Sequence, residues 1–384
     1  MQLAKSQINC HKRHKQPGWA IVVKLILLGL LAGAFFSSTF VINELMSSVG
    51  GHWFWSASLR YVFMLLLVSA IIIAQHGMGR LKQLTELFLR NPMFWCITGG
   101  IGFGIFYAGI CYAADHVSGW VVAATFMFTV VSSLFILMAF GQRFEKKIFV
   151  YAFLIFLGVV LVNLSEGLNA DTQNQAPLFD ILVYGALPAL IAAFSYPLGN
   201  QLVWQASSNA KLSSAFYADM AAEELLVDTG TDTDTDTGTH NNAKTHPVTD
   251  SRVTRYLTAK IPSFDTLLLQ SSFNKIWLMT LGSLPFWLIL AVIIQPPLPA
   301  ASQVFNTFLV ALLAGVVATG LFLYAREEAK TSSEVAGVDA TQASEVIFAL
   351  IGGMFLLNNA LPSALGLVGV AIIILGLVLF AKNN

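Results

Sequence analysis

Long apolar runs of about 20 residues, separated by short polar stretches, recur along almost the whole chain. We place ten of them at about 20 to 46, 53 to 75, 93 to 114, 117 to 140, 148 to 165, 179 to 204, 273 to 295, 303 to 325, 337 to 357 and 362 to 381. A helix needs roughly 20 such residues to cross a hydrocarbon core about 30 Å thick, whereas barrel strands are half as long and alternate in character. The pattern predicts an all-α integral membrane protein with ten transmembrane helices. Residues 81–89, LKQLTELFL, space their leucines for an amphipathic turn lying on the membrane interface.

The apolar runs also resemble one another five spans apart. The fifth holds IFLGVVLV (Ile155 to Val162) and the tenth IILGLVLF (Ile373 to Phe380). The third holds Gly104-Ile105-Phe106-Tyr107 and the eighth Gly320-Leu321-Phe322-Leu323-Tyr324, while Ser38 precedes Asn43 as Ser195 precedes Asn200. An odd number of spans per copy turns the second copy upside down, so the expected architecture is two inverted five-helix repeats, with a binding site at the midplane between them. The expected divisions are a basic cytoplasmic tail (1–18), a first repeat (19–165), a second repeat (178–206 plus 266–384) and a polar insert (207–265). Within that insert TGTDTDTDTGTHNN has almost no apolar content, and such a stretch is expected to stay disordered.

Charge fixes the expected orientation. Of the 21 Lys and Arg residues, 18 fall in the tail, in loops after even-numbered spans or at the C-terminus, and only Lys24, Arg60 and Lys275 lie within or at the rim of spans. By the positive-inside rule those loops and both termini face the cytoplasm, and residues 47–52, 166–177 and 296–301 face outward. A net charge of zero gives no global basic bias toward nucleic acid. The basic N-terminus leads into a long span without a small-residue cleavage pattern, which predicts a start-transfer helix rather than a cleaved signal peptide. Cys10, Cys96 and Cys111 have no metal-ligand spacing and support no disulfide framework.

No P-loop, GxSxG or HExxH motif is present, so the informative residues are polar groups inside spans. Glu345, in TQASEVIFALIGGMF, lies about 12 Å into the ninth span. A charge at the bilayer centre costs about 2.5 to 3.5 kcal/mol on insertion scales, so this carboxylate marks a cavity, a partner or a task. Thr341, Glu345, Phe348 and Gly352 share one helix face. Arg60, about seven residues into the second span, either snorkels to the interface, or lines the cavity or pairs with a buried carboxylate. Glu44 beside Asn43 is the second acidic candidate, and Lys24 is expected to snorkel. Tyr196-Pro197 followed by Asn200, Gln201 and Trp204 predicts a kink with polar groups at hand. Phe35, Phe36, Phe40, Trp120, Phe126 and Phe128 are candidate aromatic walls, with Ser38 beside them.

Ten spans in two fives, the Leu59-Arg60-Tyr61 segment and a ninth span reading ASEVIFALIGGMFLLNN before a Gly-rich tenth resemble the drug/metabolite transporter superfamily. Within it, AFFSSTFVINELM(x)3GGHWFWSASLRY (Ala34 to Tyr61) is similar to the multidrug resistance efflux transporter branch. The superfamily's frequent Pro near the position of Val346, and its Glu where Asn358 stands, are absent. The resemblance implies a plasma-membrane secondary transporter, not an enzyme, that exports small organic compounds by alternating access. Its implied partners are a small-molecule substrate, the lipid bilayer and protons as candidate coupling ion, with no cofactor and no nucleic acid. A metabolite exporter driven by its substrate gradient and a non-transporting scaffold or sensor using the insert are the alternatives.

Overall fold

A computed structural model describes residues 19–172, 177–228, 261–262, 264, 266–329 and 331–383. Ten helices among them are long and apolar enough to cross a membrane: α1 (Ile21–Ser48), α2 (Trp53–His76), α3 (Pro92–Ala113), α4 (Gly119–Ala139), α5 (Lys146–Asn169), α6 (Leu178–Lys211), α7 (Ser272–Ile294), α8 (Ala301–Glu328), α9 (Gly337–Leu357) and α10 (Ala364–Lys382). The described residues contain no strand. The chain is a multi-pass, all-helical membrane protein, and the ten spans coincide with the apolar runs to within a few residues, apart from a longer α6. A further helix, Met78–Arg90, buries Leu84 and Leu87 and leaves most of its polar side chains exposed, as the leucine spacing predicts.

One expectation needs correction. The helix of α6 does not stop near residue 206 but continues to Asp228, and Ser207 is buried, donating to the Leu269 carbonyl at 2.8 Å. Beyond it, Ile261 and Phe264 are buried, with Phe264 against Phe94 and Trp95. Both edges of the stretch 207–265 thus belong to the folded body. Ser207 and Phe264 find partners across the fold that a count of apolar residues along the chain does not reveal. The Thr-Asp run and the tail with Cys10 lie outside the described residues; Cys96 and Cys111 are free thiols.

Helices in lipid gain nothing from merely hiding apolar surface, because the tails are as apolar as leucine, so they associate where small residues allow close approach. The contact of α5 with α10 is of this kind. A Cβ on Gly158 would meet the carbonyl oxygen of Gly369 at 2.7 Å, and one on Gly369 would meet that of Gly158 at 2.9 Å. Elsewhere α1 packs against α8 and α9, while α6 packs against α3 and α4. Spans α3, α6 and α8 each contain a π-helical stretch, Gly100–Ile105, Ile181–Ala186 and Ala311–Ala318, and such widened turns gather at functional sites.

Proline 197 sits inside α6 and has no N–H to offer the carbonyl of Ala193, one turn back. In lipid that carbonyl would be costly to leave unbonded. Ser132 of α4 donates its hydroxyl to it, and Asn200 donates to the Tyr196 carbonyl at 2.9 Å. The polar groups expected near this proline are therefore supplied partly by the helix itself and partly by α4.

Candidate functional site

Chain direction sorts the helix ends into two sets. One, here the basic end, carries Arg80, Arg90, Arg143, Lys211, Arg326 and Lys382; the other, the acidic end, carries Glu44, Asp115, Glu166 and Asp180 and no Lys or Arg among the described residues. A cavity of about 480 Å³ runs between them, lined by residues of every span except α5 and α10. Toward the basic end its wall is open: the Arg326 side chain there is 46% exposed, and Lys275 stands near the mouth with it. Toward the acidic end Arg60, Tyr61, Phe103 and Phe126 are all buried. The cavity is a funnel open at the basic end.

Glu345 lines this cavity and is 8% exposed. Its position follows from a local change in helix geometry. The chain of α9 tightens into a 3₁₀ turn at Thr341–Ala343 and resumes as α-helix at Ser344, which puts Glu345 in a first turn. Hydroxyls accompany the turn: Thr341 donates to the Val338 carbonyl and Ser344 to the Thr341 carbonyl, each at 2.6 Å. No hydrogen bond or ion pair reaches the Glu345 carboxylate from the described residues.

Arg60, also 8% exposed, stands at the closed end of the funnel. Its guanidinium lies 4.0 Å from the centre of the Tyr107 ring and reaches the Thr39 hydroxyl at 3.5 Å. Tyr107 in turn receives a hydrogen bond from Asn43 at 3.0 Å. Tyr61 is stacked between Phe103 and Trp287 and meets Tyr107 edge-on, which seals the funnel's base. Arg60 neither snorkels nor pairs with a carboxylate among the described residues.

The cavity therefore brings together Glu345, Arg60, Tyr196, Asn200, Trp204, Phe36, Phe40 and Phe126 from among the residues singled out in the sequence. The others stand elsewhere. Asn43 is one layer behind Arg60, and Thr341 is tucked against Gly29 of α1. Ser38 is tied to the Phe35 carbonyl at 2.6 Å, Trp120 packs near Gly366, and Phe348 lies outside the lining. Lys24 is exposed beside Tyr324.

Glu44 is at the acidic end, accepting from the Gly119 amide at 2.7 Å and the Asn359 side chain at 2.6 Å. There it helps join the two halves, together with Gln303, which donates to the His52 carbonyl and the Ser56 hydroxyl, and Trp55, which donates to the Pro297 carbonyl. Thr39, Tyr61, Phe103, Phe106, Phe322, Lys275 and Gln342 line the cavity without having been singled out. Lys275, a cation at the start of a span, was the one among them with a signal in the sequence.

The family described as "EmrE: Putative multidrug resistance efflux transporter" matches residues 23–384 of this chain. Over 373 residues the chain is 31% identical to "Uncharacterized protein YjlA" of Bacillus subtilis (strain 168), covering 93% of this chain and 94% of that protein. It is 28% identical over 321 residues to "Uncharacterized 42.1 kDa protein in intracellular alkaline protease 3'region" of Shouchella clausii, covering 80% of this chain and 66% of that protein.

Proposed function

Since this chain belongs to the EmrE family of multidrug resistance efflux transporters, we propose that it carries a small organic compound across the plasma membrane by alternating access around the funnel of Glu345 and Arg60. One observation carries this reading: a cavity lined by eight of the ten spans, drawn from both halves of the chain, holds a buried carboxylate to which no described residue donates. A scaffold has no use for such a group, whereas a carrier uses it to hold cargo or a proton in turn.

The basic end faces the cytoplasm under the positive-inside rule, so the funnel is in its inward-open state and both termini are cytoplasmic. The contacts of Glu44, Gln303 and Trp55 close the outer side and must part when that side opens. Two inverted repeats supply a second packing of similar energy. Supporting that symmetry, α1 with α8 and α9 mirrors α6 with α3 and α4, and the equivalent α5 and α10 pack against each other.

In the proton-coupled form of this cycle Glu345 takes up a proton when cargo leaves and releases it when cargo binds. The test is uptake of radiolabelled organic compounds into sealed vesicles containing only this protein, with and without an imposed pH gradient, for wild type and Glu345→Gln. The amide keeps size and most hydrogen-bonding capacity but cannot titrate. Proton coupling predicts gradient-driven accumulation that the variant loses while gradient-independent exchange survives. Transport driven by the cargo's own gradient predicts no response to pH in either protein, and a scaffold or sensor predicts no flux at all.

A further inference from the structure

We propose that the compound this funnel accepts is a zwitterion, with an anionic group such as a carboxylate seated on Arg60, a cationic amine facing Glu345 and an apolar body between aromatic walls. The proposal rests on the transport reading above and names the substrate class of the same site.

It starts from two ionisable groups, an acid and a base, to which the described residues supply no counterion. The guanidinium of Arg60 is buried with its Nε–H unbonded, and its neighbours are a tyrosine face and one hydroxyl at 3.5 Å rather than a carboxylate. A buried cation without a counterion is costly, and planar guanidinium donors match the two oxygens of a carboxylate. Glu345 is equally buried and receives no hydrogen bond from the described residues. Both line one cavity, and Tyr196 lines it with them. Tyr196 packs on Phe106 at 4.9 Å and on Phe126 at 5.9 Å, and Phe36 and Phe40 complete an apolar wall for the body of the ligand.

The balance of charge disfavours the simpler cargoes. Besides Arg60 the lining carries Lys275 and Arg326, and Arg326 is already paired with Asp339 at 3.2 Å. Glu345 is the one carboxylate in the lining. A plain cation would satisfy Glu345 but pass Lys275 and leave Arg60 bare, and a plain anion would satisfy Arg60 but meet Glu345. A zwitterion satisfies both buried charges at once, and discrimination against each singly charged relative follows from the group left unpaired.

The test uses the purified full chain and three probes that share one aromatic body: phenylalanine (both charges), phenylalaninamide (cation only) and N-acetylphenylalanine (anion only). Binding is followed by the change in protein tryptophan fluorescence. Phenylalanine is expected to bind at least about tenfold more tightly than either relative. Arg60→Gln should erase its advantage over the amide and keep its advantage over the N-acetyl form, and Glu345→Gln should do the reverse. The wild-type series alone decides the matter if a variant does not fold.

An amide that binds as well as phenylalanine, or no binding of phenylalanine, overturns the proposal. Uptake of the same probes into proteoliposomes separates the two readings. The expected charge pattern in binding without any flux removes the transport reading alone. Flux of the amide without preference for phenylalanine removes the zwitterion alone.

Discussion

Ser132 does for α6 what a backbone amide does in an unbroken helix: it gives the Ala193 carbonyl the donor that Pro197 lacks. Hydrogen bonds of this kind within membrane helices contribute about 0.6 kcal/mol on average and up to about 2. Ser132→Ala should therefore lower resistance to unfolding by about 1 kcal/mol, while Ser132→Thr retains the hydroxyl and most of the stability. Reversible unfolding in mixed micelles measures the difference, and an unchanged midpoint for the alanine variant would show that the carbonyl is satisfied in some other way. At this scale the charges were the legible part of the site. Glu345 and Arg60 stand out in apolar runs, and both line the cavity. Thr39, Tyr61, Phe103 and Phe106 were not legible, because hydropathy reports depth in the bilayer and says nothing of which side of a helix meets protein. Trp120 and Phe348 show the converse: an aromatic ring in a span is attracted equally to lipid, to packing and to a cavity.

At the scale of elements, α5 and α10 form a close pair at the edge of the molecule, away from the cavity. Their contact depends on Gly158 and Gly369, where each added side chain would meet the other helix's backbone. Gly158→Leu should part the two helices and cost about 1–3 kcal/mol from overpacking, with little effect on ligand affinity in the molecules that remain folded. The same unfolding assay reads the first quantity and fluorescence titration the second; a loss of affinity without a loss of stability would contradict the placement of this pair outside the site. Span positions were legible because length and apolarity suffice to set them. The 3₁₀ turn beneath Glu345 was not, since Thr341, Gln342 and Ala343 carry no helix-breaking signal and the turn shows itself only in the hydroxyl bonds that accompany it. The helix beyond residue 206 was hidden in a different way, by its charged residues and by the Thr-Asp run that follows it, in a stretch whose folded edges find partners far along the chain, such as Leu269 for Ser207.

For the whole molecule, the distribution of Lys and Arg and the shape of the cavity point the same way: an opening at the basic end, with the acidic end held closed. Gln303 makes two of the closing bonds, at 2.8 and 2.9 Å. Each is worth about 1 kcal/mol, so Gln303→Leu should shift the balance toward the outward-open state by roughly thirtyfold. Greater access of external reagents to the cavity would register that shift. The most direct measurement is therefore sided access to the base of the funnel. In protein lacking Cys10, Cys96 and Cys111, a single Thr39→Cys would place a thiol beside Arg60. A small membrane-impermeant thiol reagent, added to one side of oriented proteoliposomes at a time, should modify it from the basic side at rest and from the acidic side once cargo and gradient drive turnover. A thiol that reacts from the basic side alone under every condition would contradict alternating access through this cavity.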